Sequence, residues 1–209
     1  MFPRHDRQLS VHTWIFAYGS LVSSASLAST IGRTIEPGQG MHVAELAGYG
    51  RRWNYGSKTL RGDWTDDDGT EIVGGLVVSL GVAEASGESI NGTLFAVDDT
   101  ELGDLDWRER AYDRVDVTER VTLLDESNGE RLDESVAVYV PRPSAIERYE
   151  QHRDAGTAAV RVAYWDLVDD AFGALGDDHR AWYRRTPPPD VPIRDVALDP
   201  LPSVRPTRH

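Results

Sequence analysis

Apolar positions come first in short blocks and later at helical spacing. Thr13–Tyr18 (TWIFAY) is short, aromatic and β-branched, the composition of a buried strand. Ser23 and Ser24 then offer N-caps for a helical turn through Ala25, Leu27 and Ala28. Val43–Leu46, Ile72–Leu80 (IVGGLVVSL) and Ile90–Val97 (INGTLFAV) read as further strands between Gly- and Asp-rich turns. Thr100–Arg110 (TELGDLDWRER) sets Leu102 and Leu105 three apart behind a capping-box start, with Thr100 as a cap, and predicts a short helix. From Tyr112 the period becomes two. Val115, Val117, Val121 and Leu123 alternate with polar residues, and Asn128-Gly129 predicts a hairpin turn into Val136–Val140. Ala145–His152, Ala158–Leu175 and Asp178–Arg185 take helical spacing. The second of these carries an apolar stripe of Val160, Ala163, Tyr164, Leu167, Val168, Ala171 and Leu175. Strands before helices, without regular βαβ alternation, predict an α+β fold.

A length of 209 residues suits one domain with a substantial core. We place it at 13–186, after a polar arm at 1–12 and before a Pro-rich tail at 187–209 that begins at PPPD. No run approaches the ~18 apolar residues of a membrane-spanning helix, and MFPRHDRQLSVH lacks the apolar stretch of a secretion signal. The expected location is cytoplasmic, with no membrane partner. The absence of cysteine removes disulfides, zinc thiolates, iron–sulfur clusters and thiol nucleophiles, so chemistry falls to oxygen and nitrogen groups. A formal net charge of −13 opposes a polyphosphate backbone, and no nucleic-acid partner is expected.

Several familiar motifs fail on register. Gly48-Tyr49-Gly50 opens like a dinucleotide loop, but Trp53 stands at the third glycine position. Asp63–Gly69 (DWTDDDG) resembles a calcium loop until counting back from Gly69 puts Trp64 at the first ligand position and Gly75 where the bidentate Glu belongs. The six histidines show no ligand spacing, so neither a metal nor another cofactor is implied. Tyr18-Gly19-Ser20-Leu21, at the end of the first strand, admits three readings: a turn, a nucleophile, or a row of backbone amides for an anion. A serine-hydrolase elbow needs glycine two places either side of the serine, where this chain has Tyr18 and Val22.

Three segments are left: Tyr18-Gly19-Ser20-Leu21, Arg51–Gly62 (RRWNYGSKTLRG) and Leu105–Glu109 (LDWRE). In this order they resemble the γ-glutamylcyclotransferase superfamily. Its members open on a strand ending Y-G-S-[LN] and carry a later L-D-x-x-E followed by a Tyr, here Tyr112. Arg51, Arg52, Trp53, Gly56, Ser57, Arg61 and Gly62, together with LDWRE, are similar to the ChaC-like branch, which acts on glutathione, alongside AIG2-like members. Ala111 departs from the Gly that many relatives have before the Tyr. The resemblance implies a small mixed β-barrel with helices around it and a cofactor-independent reaction. In that reaction a γ-glutamyl compound cyclises to 5-oxoproline and releases its amine. Glu109 is the implied acid/base residue; Tyr18, Gly19, Ser20, Leu21, Trp53, Ser57, Arg61, Tyr112 and Tyr139 are the implied substrate-binding residues. Two alternatives stay open, a binding protein that has lost turnover and, behind it, a serine hydrolase using Ser20.

Overall fold

The computed structural model describes residues 13–124 and 134–200. The arm at 1–12, the turn at Asn128-Gly129 and the tail beyond 200 lie outside the described residues. The chain opens with β1 (Thr13–Ala17), a 3-10 turn (Ser20–Val22) and α1 (Ser24–Ile31), capped by Ser23 through its side chain. After the short β2 (Glu36–Pro37), most of the expected strands merge into two very long ones, β3 (Gly40–Thr65) and β4 (Glu71–Val97). These pair antiparallel from Met41↔Phe95 to Thr65↔Glu71. Four register shifts interrupt the pairing and bend the ribbon. The first falls at Gly48, whose φ of 77° is open to glycine at little cost. At Gly56 a side chain is impossible for another reason: a Cβ would stand 2.8 Å from the Tyr149 amide, where a helix packs against the ribbon.

α2 (Asp99–Arg108) follows β4 directly. Its cap is Asp98 and not Thr100: the Asp98 carboxylate accepts from the Thr100 and Glu101 amides while Glu101 reaches back to the Asp98 amide. Then come β5 (Tyr112–Asp116), β6 (Val121–Leu123), β7 (Val136–Pro141) and α3 (Pro143–Asp154). The strands flanking Asn128-Gly129 do not pair with each other. β6 joins Ala44–Leu46 of β3, whereas β7 pairs antiparallel with β5 and parallel with β1. The expected antiparallel partner of β7 exists, but it is the earlier half of the alternating segment, separated from β6 by a 3-10 turn at Thr118–Arg120.

The segment read as one helix from Ala158 begins as a strand, β8 (Ala158–Arg161), parallel to Leu76–Val78. Ala158, Ala159 and Val160 are buried in succession, which a one-sided surface helix cannot achieve. α4 (Val162–Ala174) therefore starts later and presents Val168, Ala171 and Phe172 inward, leaving Ala163 and Leu167 exposed. After α5 (Asp177–Tyr183), the proline-rich segment contributes β9 (Ile193–Arg194) beside β8 and β10 (Ala197–Leu198) beside β3. The result is an α+β fold with one mixed, ten-stranded sheet and five helices among the described residues. The sheet is strongly bent but does not close, so the expected barrel is an open curled sheet; β3 and β4 supply the curl through their bulges.

The most deeply buried charged side chain among the described residues is an arginine. Arg51 is 2% exposed, with its guanidinium against the stacked rings of Phe172 and Tyr183, 4.8 and 5.2 Å from their centroids. Nε donates to the Tyr18 carbonyl at 2.9 Å, Nη1 to Thr186 Oγ1 at 3.1 Å, and Nη2 to the Asn91 carbonyl. Burial pushes its pKa down to about 10, so it stays charged at neutral pH. The end of β1, β4 and the segment after α5 are thus tied through one cation. Replacing Arg51 with Ala strands these acceptors and leaves a void. Urea denaturation is expected to show a loss of about 3 kcal/mol or more.

Candidate active site

The carbonyl held by Arg51 is the last before Gly19, where the chain leaves β1 and enters the 3-10 turn. In that turn Val22 N–H donates to the Gly19 carbonyl at 3.0 Å and Ser23 N–H to that of Ser20 at 3.1 Å. The Ser20 and Leu21 amides come before the first such bond, so the turn itself gives them no acceptor. Both residues line a cavity. Tyr18, Gly19, Ser20 and Leu21 form one wall, with Glu109, Tyr112 and Tyr139 among the other lining residues. Seven of the residues named from the sequence therefore share one cavity.

Glu109 caps the C-terminal end of α2, and its amide closes the last helical bond onto the Leu105 carbonyl. Its side chain is only 14% exposed, with Oε1 3.0 Å from Arg108 Nε. Burial raises the Glu109 pKa, and the neighbouring Arg108 cation opposes the rise. The guanidinium of Arg108 is itself anchored. Nη1 donates to Thr30 Oγ1 at 2.6 Å and the Ser26 carbonyl at 3.1 Å; Nη2 donates to Ser26 Oγ at 3.1 Å and Ser20 Oγ at 3.0 Å. One arginine thus touches both the carboxylate and the serine of the turn, braced from behind by α1.

Tyrosines make up much of the remaining wall. Tyr18 Oη donates to the Tyr139 carbonyl at 2.7 Å, and Tyr139 Oη to Asp106 at 2.8 Å. Tyr112 stacks on Tyr55, 4.3 Å between centroids. Burial, with the Glu109 charge close by, lifts the phenols of Tyr18 and Tyr112 well above their ordinary range, so they are neutral donors. Tyr164, which the sequence reading did not name as a site residue, also lines the cavity, and burial pushes its phenol up to about 12. Its Oη accepts from the Leu80 amide at 3.4 Å and would stand 3.3 Å from a Cβ on Gly19. The turn and this ring are therefore already in close contact. Phe16, Ala17 and Leu80 complete the apolar part.

Trp53, Ser57 and Arg61 do not line this cavity. Trp53 stacks on Trp165 at 5.0 Å and meets Tyr164 edge-on, behind the wall. Ser57 accepts from the Thr59 and Leu60 amides and shapes a bulge in β3. Arg61 faces Arg148 and Asp199 at the opposite end of the ribbon from Gly40. Among the described residues there is no cluster of metal-ligating side chains, and no helix is long and apolar enough to cross a membrane.

No protein-family model matches the chain, and no curated protein matches it in sequence. Solved structures do match in fold. One is an uncharacterized human protein, loc79017 (TM-score 0.53, 14% identity, 86% of this chain and 90% of that one). Another is described as a gamma-glutamyl cyclotransferase (TM-score 0.50, 13% identity, 86% and 90%). The solution structure of At3g28950.1 from Arabidopsis thaliana is 22% identical over 66% of this chain, which spans 64% of that one; its TM-score of 0.41 is too low to speak for a shared fold. The chain has a γ-glutamyl cyclotransferase-like fold.

The raised pKa of Glu109 has a stability consequence with a fixed sign. A carboxyl whose folded pKa exceeds its unfolded value of about 4.3 favours the folded state when protonated. That contribution is complete below the unfolded pKa and is lost as pH rises through the folded one. Glu109→Gln is neutral throughout and escapes the loss. Its melting temperature relative to the parent is expected to rise between pH 4 and pH 7, as followed by thermal denaturation at both values.

Proposed function

We propose that this protein cyclises a γ-glutamyl compound, glutathione or another γ-glutamyl peptide or amine, to 5-oxoproline with release of the attached amine. The observation that supports it best is that Glu109, its side chain only 14% exposed, lines the same small cavity as Tyr18–Leu21. The reaction needs little else. The substrate's own α-nitrogen attacks its γ-carbonyl carbon; a C–N bond forms to close the ring, and the C–N bond to the departing amine breaks. Water is not consumed. Attack within one molecule has most of its entropy prearranged, so the protein's task is to hold a folded conformer and move protons.

The α-amine is mainly protonated at neutral pH and inert in that form. Glu109, as a carboxylate, takes its proton and later delivers it to the departing nitrogen. A raised pKa suits both halves of that task, and the Arg108 contact opposes the rise that burial causes. The Ser20 and Leu21 amides are suited to the substrate's α-carboxylate or to the oxyanion formed at the attacked carbonyl. The tyrosines enclose the remainder with neutral hydroxyls and ring faces. Nothing in this scheme calls for a cofactor, and a cytoplasmic location belongs to the same proposal. The hydrolase alternative is less well supported, because Ser20 Oγ accepts from Arg108 and no histidine lines the cavity among the described residues.

Incubation with glutathione and simpler γ-glutamyl compounds is expected to yield 5-oxoproline. Glu109→Gln is expected to lower kcat by at least about a hundredfold, with its fold intact by circular dichroism. The acid limb of kcat/KM should fall above the ~4.3 of a free glutamate, because the base must be ionised. Free glutamate in place of the lactam, or full activity in Glu109→Gln, overturns the proposal.

A further inference from the structure

Arg51 also lines a second cleft, where β3 and β4 meet the chain leaving α5. No residue lines both this cleft and the inner cavity. The two are linked through Arg51 alone, whose Nε holds the Tyr18 carbonyl at the turn. One wall carries Arg52, Glu88 and Ser89; the other carries Trp182, Arg185 and Thr186. Three guanidinium groups therefore meet one carboxylate, in a chain whose net charge is −13.

That carboxylate is already engaged. Arg52 donates through Nη2 to Glu88 at 2.6 Å and through Nη1 to the Arg51 carbonyl at 2.9 Å. Arg185 has no such partner: its guanidinium lies 5.2 Å from the Trp182 ring centroid and makes no ion pair among the described residues. Its neighbours in sequence differ, because Arg180 and Arg184 both close on Asp169. Arg51, only 2% exposed, spends its donors on neutral oxygens of Tyr18, Asn91 and Thr186. A buried cation without a carboxylate partner, beside a cleft with a second unpaired cation, leaves positive charge that the protein does not itself neutralise. The end of α5 does not cancel it with bare carbonyls, since those of Trp182 and Tyr183 accept from the Arg185 and Thr186 amides at 3.0 and 2.9 Å.

We propose that this cleft binds a tetrahedral oxyanion, either a phosphate ion or the phosphoryl end of a phosphate monoester. Arg185 offers the open fork on one wall, Arg52 and Ser89 line the other, and Arg51 adds a charge that solvent hardly screens. Groups on two facing walls suit an anion with acceptors on every side better than a flat carboxylate, whose two oxygens one arginine already satisfies. The proposal stands apart from the γ-glutamyl reading of the inner cavity, and neither depends on the other.

The test is calorimetric titration of the full-length protein, near neutral pH in a buffer free of phosphate, with inorganic phosphate and with glycerol phosphate. Ionic strength is matched with sodium chloride throughout. One phosphate per chain is expected, with Kd on the order of 1 mM, and acetate is expected to bind at least about fivefold more weakly. Arg185→Gln should weaken phosphate about tenfold and Arg185→Glu should abolish it, whereas Glu88→Gln, which removes the competing carboxylate, should tighten it about threefold. Both positions are exposed, so these replacements leave the fold in place. Arg142→Gln, the same loss of charge outside the cleft, should leave Kd unaltered. Binding of inorganic phosphate alone identifies the free ion as the ligand, and binding of both compounds identifies the phosphoryl group. No binding of either, heat that chloride reproduces, an unaltered Kd in Arg185→Gln, or equal weakening in Arg142→Gln overturns the proposal.

Discussion

The site depends on a buried cation placed where no anion meets it. Arg51 enters the core between two aromatic rings and spends its donors on neutral oxygens, first among them the carbonyl at the end of β1. A lysine in that place would bring one point charge and no fork; the planar group reaches β1, β4 and the C-terminal segment together. With the Tyr18 carbonyl turned toward Arg51, the chain leaves β1 for the 3-10 turn, and Ser20 and Leu21 come to line the cavity. The desolvation of a guanidinium is offset by these three acceptors and two ring faces, and what the arrangement secures is the shape of one turn.

Arg108 plays a complementary part on the other side of the cavity. Its four bonds to α1 and Ser20 fix a cation beside Glu109 without neutralising the effect of burial. The carboxyl also stands at the carbonyl end of α2, where the helix dipole disfavours negative charge. Two influences therefore hold the proton on and one draws it off. The balance belongs to the surroundings of Glu109 as much as to the residue itself.

Much of this was legible in the sequence where the signal was local. The strand running into Tyr-Gly-Ser-Leu, the short helix ending at Glu109 and the alternating segment from Tyr112 each announce themselves within about ten residues. Trp53, Ser57 and Arg61, implied by the resemblance and by no local pattern, fall inside or beside the register shifts of β3 between Arg52 and Tyr55 and between Gly56 and Arg61, and the cavity is lined without them. Tyr164 and the network around Arg108 were invisible because their partners are distant in sequence. Gly19 meets a ring on α4, and Ser20 meets a guanidinium 88 positions further along. The Ala158–Arg161 strand escaped because alanines carry no strong preference for a sheet, and only the open edge of β4 makes them one.

The cavity walls come from β1 and the turn after it, β4, the end of α2, β5, β7 and α4, segments that only folding brings together. A small molecule that fits there recognises the assembled chain alone. By mass action its occupancy drains the unfolded population, by RT ln(1 + [L]/Kd), about 2.7 kcal/mol at a hundredfold excess over Kd. Abundance of this protein in a cell would accordingly follow the supply of whatever fills the cavity, quite apart from any turnover.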